Sequence, residues 1–263
     1  MLPTIVPLED SDIAAELAKA FKKKGIRVET EAKVESVKKD AKGASVVFKD
    51  KAGKSQTIAA EKVLIAVGRR PMTENLGLEK TKAKVERGFI HANGHLETDE
   101  PHLYAIGDIV AGLPQLAHAA SMEGIIAVGK MAGKEMPAFD HLRCPNCTYC
   151  EPQIGSIGYT EKQARDAGFK VKIGKFPFAG NSKASIIGQH EGFIKVVAEE
   201  KYGEILGVHV IGPLATEIIA EPATAIGLEA TVEHMMSMIH AHPTVWEAMG
   251  DAFNAVNNLA INV

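Results

Sequence analysis

Val63-Leu64-Ile65-Ala66-Val67-Gly68-Arg69-Arg70-Pro71 is an unbroken apolar run closed by a glycine and two arginines. Continuous rather than alternating hydrophobicity is the pattern of a parallel strand buried on both faces. Upstream, residues 10–25 read as a helix with both ends marked. Asp10-Ser11-Asp12 supplies a cap and negative charge, and Ile13, Leu17 and Phe21 repeat at four-residue spacing. Lys22-Lys23-Lys24-Gly25 supplies a cationic last turn and a C-terminal glycine. Between helix and run, Val28, Val34, Val37 and Val46-Val47-Phe48 lie in short β-rich stretches, with a turn at Asp50-Lys51-Ala52-Gly53. A helix, a β-meander and a buried strand are thus expected by residue 68.

Downstream, Leu103-Tyr104-Ala105-Ile106-Gly107-Asp108 reads as a short strand ending in an acid. Such an acid can hold a sugar or ribityl hydroxyl at a sheet's C-terminal edge, or it can cap the next helix; both readings stand. Residues 115–133 form a small-residue helix rich in alanine and glycine. From about residue 140 the pattern resets. Thr160-Glu161-Lys162-Gln163 opens a short helix with a capping box that ends at Gly168. Residues 193–198 and 205–211 form a hairpin. Three helical stretches follow, at 214–228, 231–239 and 245–259. Met235, Met236 and Met238 suit core packing first and a soft interface second.

Hydrophobic content of 46% and charged content of 24% in 263 residues are ordinary for a soluble globular chain of one large or two smaller domains. A formal charge of −3 gives no electrostatic reason to expect a nucleic acid or membrane partner. No apolar run reaches spanning length, and Met1-Leu2-Pro3-Thr4 does not open a signal peptide, so a cytoplasmic setting is expected. All three cysteines fall in Cys144-Pro145-Asn146-Cys147-Thr148-Tyr149-Cys150. The spacing mimics the start of an iron–sulfur run, but no fourth cysteine follows and no second pair exists to complete a zinc site. No metal is expected, and Cys147-Thr148-Tyr149-Cys150 reads as a strand with thiols packed on a sheet.

The chemistry is concentrated in His240-Ala241-His242-Pro243-Thr244-Val245-Trp246-Glu247. Histidine exchanges protons near neutrality with little tuning. Pro243 biases His242 towards extended backbone, and Thr244 is placed to start a helix carrying Glu247 in its first turn. That spacing allows Glu247 to hold one imidazole nitrogen while the other faces a reactant. It equally allows a plain capping box, in which Glu247 bonds only backbone and His242 is a structural residue at a helix junction.

Four ordered runs now coincide: residues 63–71, residues 104–108, Ile205-Leu206-Gly207-Val208-His209-Val210-Ile211-Gly212-Pro213, and His240-Ala241-His242-Pro243-Thr244. Together they resemble the pyridine nucleotide-disulfide oxidoreductases, in particular their lipoamide-oxidising members, across essentially the whole chain. The resemblance implies a mixed α/β and α+β fold: the C-terminal part of a flavoenzyme with two dinucleotide-binding domains, plus an α+β interface (dimerisation) domain. The implied segments are a partial NAD-binding domain at 1–71, a central FAD-binding segment at 72–139 and the interface domain at 140–263.

By resemblance, Gly107 and Asp108 correspond to the second flavin motif, with Asp108 on the ribityl or pyrophosphate part of FAD. Gln115, Leu116, Ala117 and His118 correspond to the stretch whose backbone reaches the flavin ring. Gly68 and Val34 correspond to NAD contacts. His242 is similar to the family's acid/base and Glu247 to its orienting carboxylate, a dyad that serves the opposite subunit of a homodimer. The implied activity is oxidation of protein-bound dihydrolipoamide with FAD and NAD. The implied partners are lipoyl domains of 2-oxoacid dehydrogenase or glycine cleavage complexes.

The departures are equally specific. The family's first flavin Gly-x-Gly-x-x-Gly, its neighbouring redox C-x4-C and the nicotinamide-domain fingerprint with its selecting acid do not occur in this sequence. Val245-Trp246 replaces a more usual Leu-Ser pair. The chain therefore reads as the C-terminal portion of such an enzyme, expected to be inactive alone. The alternatives are a non-catalytic dimerisation fragment and a glutathione-reductase-like member. A mercuric-reductase-like member would carry a terminal Cys-Cys pair, which Leu259-Ala260-Ile261-Asn262-Val263 lacks. The first residues, 1–71, are expected to be mobile or to pair between molecules, because open sheet edges seek partners.

Overall fold

The computed structural model describes residues 2–41 and 43–262. In chain order its regular elements are α1 (Ser11–Lys23), β1 (Lys33–Asp40), β2 (Gly43–Lys49), β3 (Ser55–Ala60), β4 (Val85–Glu86), β5 (Phe89–Ile90) and α2 (Ala117–Met131). There follow β6 (Asn146–Thr148), β7 (Gln153–Gly158), α3 (Glu161–Asp166), β8 (Val171–Pro177), α4 (Ser182–Ile186), β9 (Phe193–Glu199) and β10 (Ile205–Gly212). Four helices end the chain: α5 (Ala215–Ile218), α6 (Ala220–Gly227), α7 (Val232–Met236) and α8 (Glu247–Ala255). The elements fall into two compact units, Met1–Leu64 with Pro145–Val263, and Ile65–Cys144. These boundaries run differently from the segments 1–71, 72–139 and 140–263 suggested by resemblance.

The physical reason lies in α1. Asp10 caps it, its side chain accepting the Asp12 N–H at 3.0 Å. Its apolar stripe, Ile13 and Leu17, packs with Ile154, Phe193 and Ile211 of the C-terminal sheet. Each such fully buried side chain contributes about 1.5–3 kcal/mol. The stripe therefore ties the N-terminal helix to strands that lie more than a hundred residues later in the sequence.

That sheet has the antiparallel order β6-β7-β10-β9-β8. Ile194, Val196 and Ala198 of β9, with Val208 and Val210 of β10, face a core completed by Ala215, Ile218, Met249 and Phe253. Their neighbours Phe193, Val197 and Ile211 face away and are also buried. Burial of both faces explains why the two strands read as continuous apolar runs. Gly174 of β8 lets α8 approach closely: a Cβ there would lie 2.7 Å from the Val256 backbone nitrogen and against the Ala252 carbonyl. In the same unit β1, β2 and β3 form a separate antiparallel sheet, as expected for the meander.

Three expectations are corrected. Residues 61–70 form no strand and are exposed throughout; Leu64 is 90% and Val67 92% accessible. No described strand pairs with them, and hydrophobicity alone cannot build a strand without a ladder partner. Residues 103–108 make only an isolated bridge between Tyr104 and Glu97 before a 3-10 turn at Gly107–Ile109. In the cysteine run, the strand β6 takes in Cys147 but stops before Cys150. Among the described residues no helix is long and apolar enough to cross a membrane.

The second unit is lighter. Ile90, Ala105 and Val110 form one small cluster, and Leu96, Ile126 and Ala127 another. The second takes in Ile126 and Ala127 of α2 and so packs that helix on Leu96.

Candidate active site

After α7 the chain runs through His240-Ala241-His242-Pro243-Thr244 without helix or strand and enters α8 at Glu247. The His242 imidazole and Glu247 carboxylate meet: Nδ1 donates to Oε1 at 2.9 Å. The other oxygen of Glu247 accepts the Thr244 N–H at 2.8 Å. A carboxylate only accepts, so a neutral His242 carries its proton on Nδ1 and its lone pair on Nε2. The His242 side chain is 69% exposed, which opens that lone pair to a reactant, whereas Glu247 is 27% exposed.

Burial pushes the Glu247 carboxyl up, but the hydrogen bonds from Thr244 and His242 and the charges of His242 and His240 outweigh it. The carboxyl is held below its usual range and stays ionised. Glu247 thus holds the imidazole with one oxygen and backbone with the other, so the plain capping box, in which it would bond backbone alone, is not what forms. Thr244 does not close a reciprocal capping box, because its hydroxyl donates to the Ala241 carbonyl at 2.6 Å and the cap position of α8 is Trp246.

The pair rests on a rigid base. Val245, Ala248, Met249 and Phe253 are buried in the main core, and Trp246 packs partly against it. Asn181, which caps α4, also donates to the Thr244 carbonyl at 3.1 Å. Asn181 was not legible as a partner of this loop, since it lies sixty-three residues away from Thr244. Nor did the sequence show that His240 has its own carboxylate partner, Glu221.

Cys147 and Cys150 are poor candidates for redox work. Cys150 Sγ donates to the Pro152 carbonyl at 3.1 Å, and Cys147 packs against the main core. Burial and nearby carboxylates push both thiols up, away from the lowered range a nucleophilic thiol needs.

Within the other unit, the turn holding Gly107 and Asp108 is linked to Gln115, after which Leu116, Ala117 and His118 lead into α2. Gly107 takes a left-handed φ of 76°, and its N–H donates to Glu123 Oε2 at 2.6 Å. Asp108 is half exposed, with Arg69 Nη1 at 3.6 Å. Gln115 Nε2 donates to the Asp108 carbonyl at 3.1 Å, and Arg69 Nη2 donates to the Gln115 carbonyl at 2.8 Å. Leu116 stands at the cap position of α2, so no side chain closes the helix's first turn. An exposed carboxylate beside such a turn suits a ligand that offers both hydroxyl donors and acceptor oxygens. Gly68 adopts φ of 120° with open space where a Cβ would project. Val34, in the first unit, is exposed on β1 opposite Phe48.

A model of the pyridine nucleotide-disulphide oxidoreductase dimerisation domain matches residues 144–253, and a pyridine nucleotide-disulphide oxidoreductase model matches residues 1–124. The dihydrolipoyl dehydrogenase of Bacillus subtilis is 44% identical over 260 residues, covering 98% of this chain and 54% of its own. That of Thermus scotoductus is 44% identical over 264 residues, covering 100% and 57%. The crystal structure of LpdA from Mycobacterium tuberculosis superposes with a TM-score of 0.84 at 25% identity, over 94% of this chain and 53% of that one. The HOCl-induced flavoprotein disulfide reductase RclA from Escherichia coli shares the fold, with a TM-score of 0.85 at 24% identity over 96% and 57%. The chain spans about half the length of the relatives it matches. Two models from one family match it in tandem, and the His242–Glu247 pair falls within the second; the chain belongs to the pyridine nucleotide-disulphide oxidoreductases.

Proposed function

We propose that this chain works as part of a dihydrolipoyl dehydrogenase, which oxidises protein-bound dihydrolipoamide with FAD and NAD. The observation that carries the reading is the hydrogen bond from His242 Nδ1 to Glu247, which leaves Nε2 exposed as a base. Nε2 accepts the proton of a substrate thiol, and Glu247 stabilises the imidazolium so formed. The thiolate is the reactive form of sulfur, so a base of this kind is required near neutral pH. FAD and NAD, when bound, supply the acceptor for the electron pair. Asp108 and Gly107, with the backbone at Gln115, Leu116, Ala117 and His118, would hold the flavin, while Gly68 and Val34 would contact the nicotinamide dinucleotide.

The same reading makes the protein a homodimer in which the dyad serves the redox thiols of the opposite subunit. The match to a dimerisation domain supports it, as do the exposed apolar side chains of Leu228, Met238 and Ile239. The lipoyl domains of 2-oxoacid dehydrogenase or glycine cleavage complexes would present the substrate arm. A reducing, cytoplasmic setting goes with the thiols of Cys147 and Cys150, neither of which is in a disulfide.

The test is His242→Ala in the flavin-loaded enzyme, read as NAD reduction driven by dihydrolipoamide. Loss of a positioned acid/base should slow it by roughly 10²–10⁴-fold while the flavin absorbance is retained. Unchanged turnover would remove His242 from the chemistry. A second reading, a dimerisation module without catalysis, is favoured by the same exposed apolar side chains. It predicts that the purified chain self-associates and stays colourless in the presence of FAD.

A further inference from the structure

Behind the exposed dyad lies a second imidazole–carboxylate pair. His240 Nε2 donates to Glu221 Oε1 at 2.8 Å, with side chains only 11% and 22% exposed. Glu221 belongs to α6, and its other oxygen is buried without a hydrogen-bond partner. A buried carboxylate with one contact depends heavily on that contact. The opposite edge of the ring faces α8. A Cβ on Gly250 would stand 3.2 Å from His240 Nδ1 and 3.4 Å from Cε1, so the glycine leaves a slot for the imidazole.

Glu247 lies one helical turn before Gly250 and interacts electrostatically with His240. The charged groups acting on His240 are therefore Glu221 from α6 and Glu247 from α8. Glu247 in turn sits under the influence of both histidines, bonded to His242 and biased by His240.

We propose that His240, held by Glu221, is a positioning residue for the His242–Glu247 pair: it pins the loop between α7 and α8 to α6 and places a positive charge behind Glu247. The carboxylate thereby stays ionised and keeps the His242 proton on Nδ1. The catalytic meaning rests on the proposed acid/base role of His242, whereas the coupling between the two pairs does not. The Glu221 hydrogen bond favours the imidazolium of His240 more than burial opposes it, so the group titrates above the ordinary histidine range. A raised value means that the anchoring is complete at low pH and is lost as pH rises through the folded-state titration.

The test is nitrogen-15 NMR of histidine-labelled chain, reading the His242 tautomer and the titrations of His240 and Glu247. In the unmodified chain His242 should show a protonated Nδ1 and an unprotonated Nε2. Glu221→Gln should lower the His240 midpoint and raise that of Glu247. His240→Gln keeps an N–H donor for Glu221 without charge, so it should preserve the His242 tautomer yet raise the Glu247 midpoint. His240→Ala should lose the tautomer preference as well. An unshifted Glu247 midpoint in both glutamine variants overturns the proposal, even where the alanine variant fails to fold. A coupled pair in a protein whose turnover ignores His242→Ala would instead sink the proposed function and leave this inference standing.

Discussion

Lys195 of β9 and Asp10 at the start of α1 form a fully buried ion pair, 2.9 Å apart across 185 residues of sequence. Lys195 also reaches Asp12 Oδ2 at 3.1 Å and Glu161 Oε2 at 2.9 Å. Burial opposes its charge, but these carboxylates outweigh it and push the ammonium up to about 12. Asp10 does two further things besides balancing the lysine: it caps α1 and accepts the Glu161 N–H at 3.1 Å. The N-terminal helix is thus fixed to the sheet by charge as well as by the Ile13 and Leu17 stripe.

Lys195→Met should accordingly destabilise the chain by roughly 3–5 kcal/mol, because it strands a buried carboxylate. Adding Asp10→Asn should cost less than the sum of the two single changes, since both act on one pair. Urea unfolding of the two single variants and the double variant measures this. Strict additivity would show that the pair is not a unit.

Acid should loosen α1 in two stages. His209 is buried, its Nε2 bonded to the Tyr159 carbonyl at 2.9 Å and its Nδ1 without a partner. Burial holds it below the ordinary value of 6.5, so the stability it contributes is full above that pH and falls as pH drops through its lowered titration. Asp10 and Glu161 are held below the carboxylate range, Asp10 against the pull of burial and Glu161 chiefly by its bond to Lys195. Their contribution fails at still lower pH. Glu9, raised by burial despite bonds from Ser156 and Asn146, works in the opposite direction and is protonated before Asp10 and Glu161. Stability measured between pH 7.5 and 3 should therefore fall from below 6.5, and His209→Gln should flatten the upper part of that fall.

Glu247→Gln separates the two duties of the carboxylate. The amide oxygen can still accept the Thr244 N–H, but the amide nitrogen would then face His242 Nδ1 as a donor. The imidazole would have to carry its proton on Nε2, the wrong nitrogen for accepting one. Turnover in the flavin-loaded enzyme should fall by on the order of 10²-fold or more, while the stability change stays near the roughly 1 kcal/mol of a cap contact. Equal rates for the two forms would show that orientation by Glu247 does not matter.

Local chemistry made much of this legible. The caps of α1, the Thr160–Gln163 box and the hairpin of β9 and β10 are written in short-range patterns, and each forms as expected. The His242–Glu247 contact was readable for the same reason, because five residues and a proline constrain it. What the sequence concealed is which partner each surface meets. Lys195 stands in an apolar run where spacing alone suggests a solvent-facing lysine, yet three carboxylates from distant segments bury it. Glu221 and His240 are nineteen residues apart on elements whose relative placement depends on core packing. Residues 63–67 are the inverse case, with a strong local signal and no ladder to join.

That segment yields the last prediction. With all of residues 61–70 exposed and no described strand beside them, their amides have no sheet to protect them. Hydrogen exchange should find residues 63–67 among the fastest in the chain, and residues 193–198 and 205–211, buried on both faces, among the slowest. Leu64, Ile65 and Val67 also present adjacent apolar side chains to solvent, a template for pairing with another molecule. Leu64→Lys with Val67→Lys should leave unfolding stability within about 0.5 kcal/mol, as for exposed sites elsewhere, while reducing concentration-dependent association. Slow exchange at 63–67 in a dilute monomer would mean that the strand does find a partner within its own chain. Loss of several kcal/mol in the double variant would say the same from the side of stability.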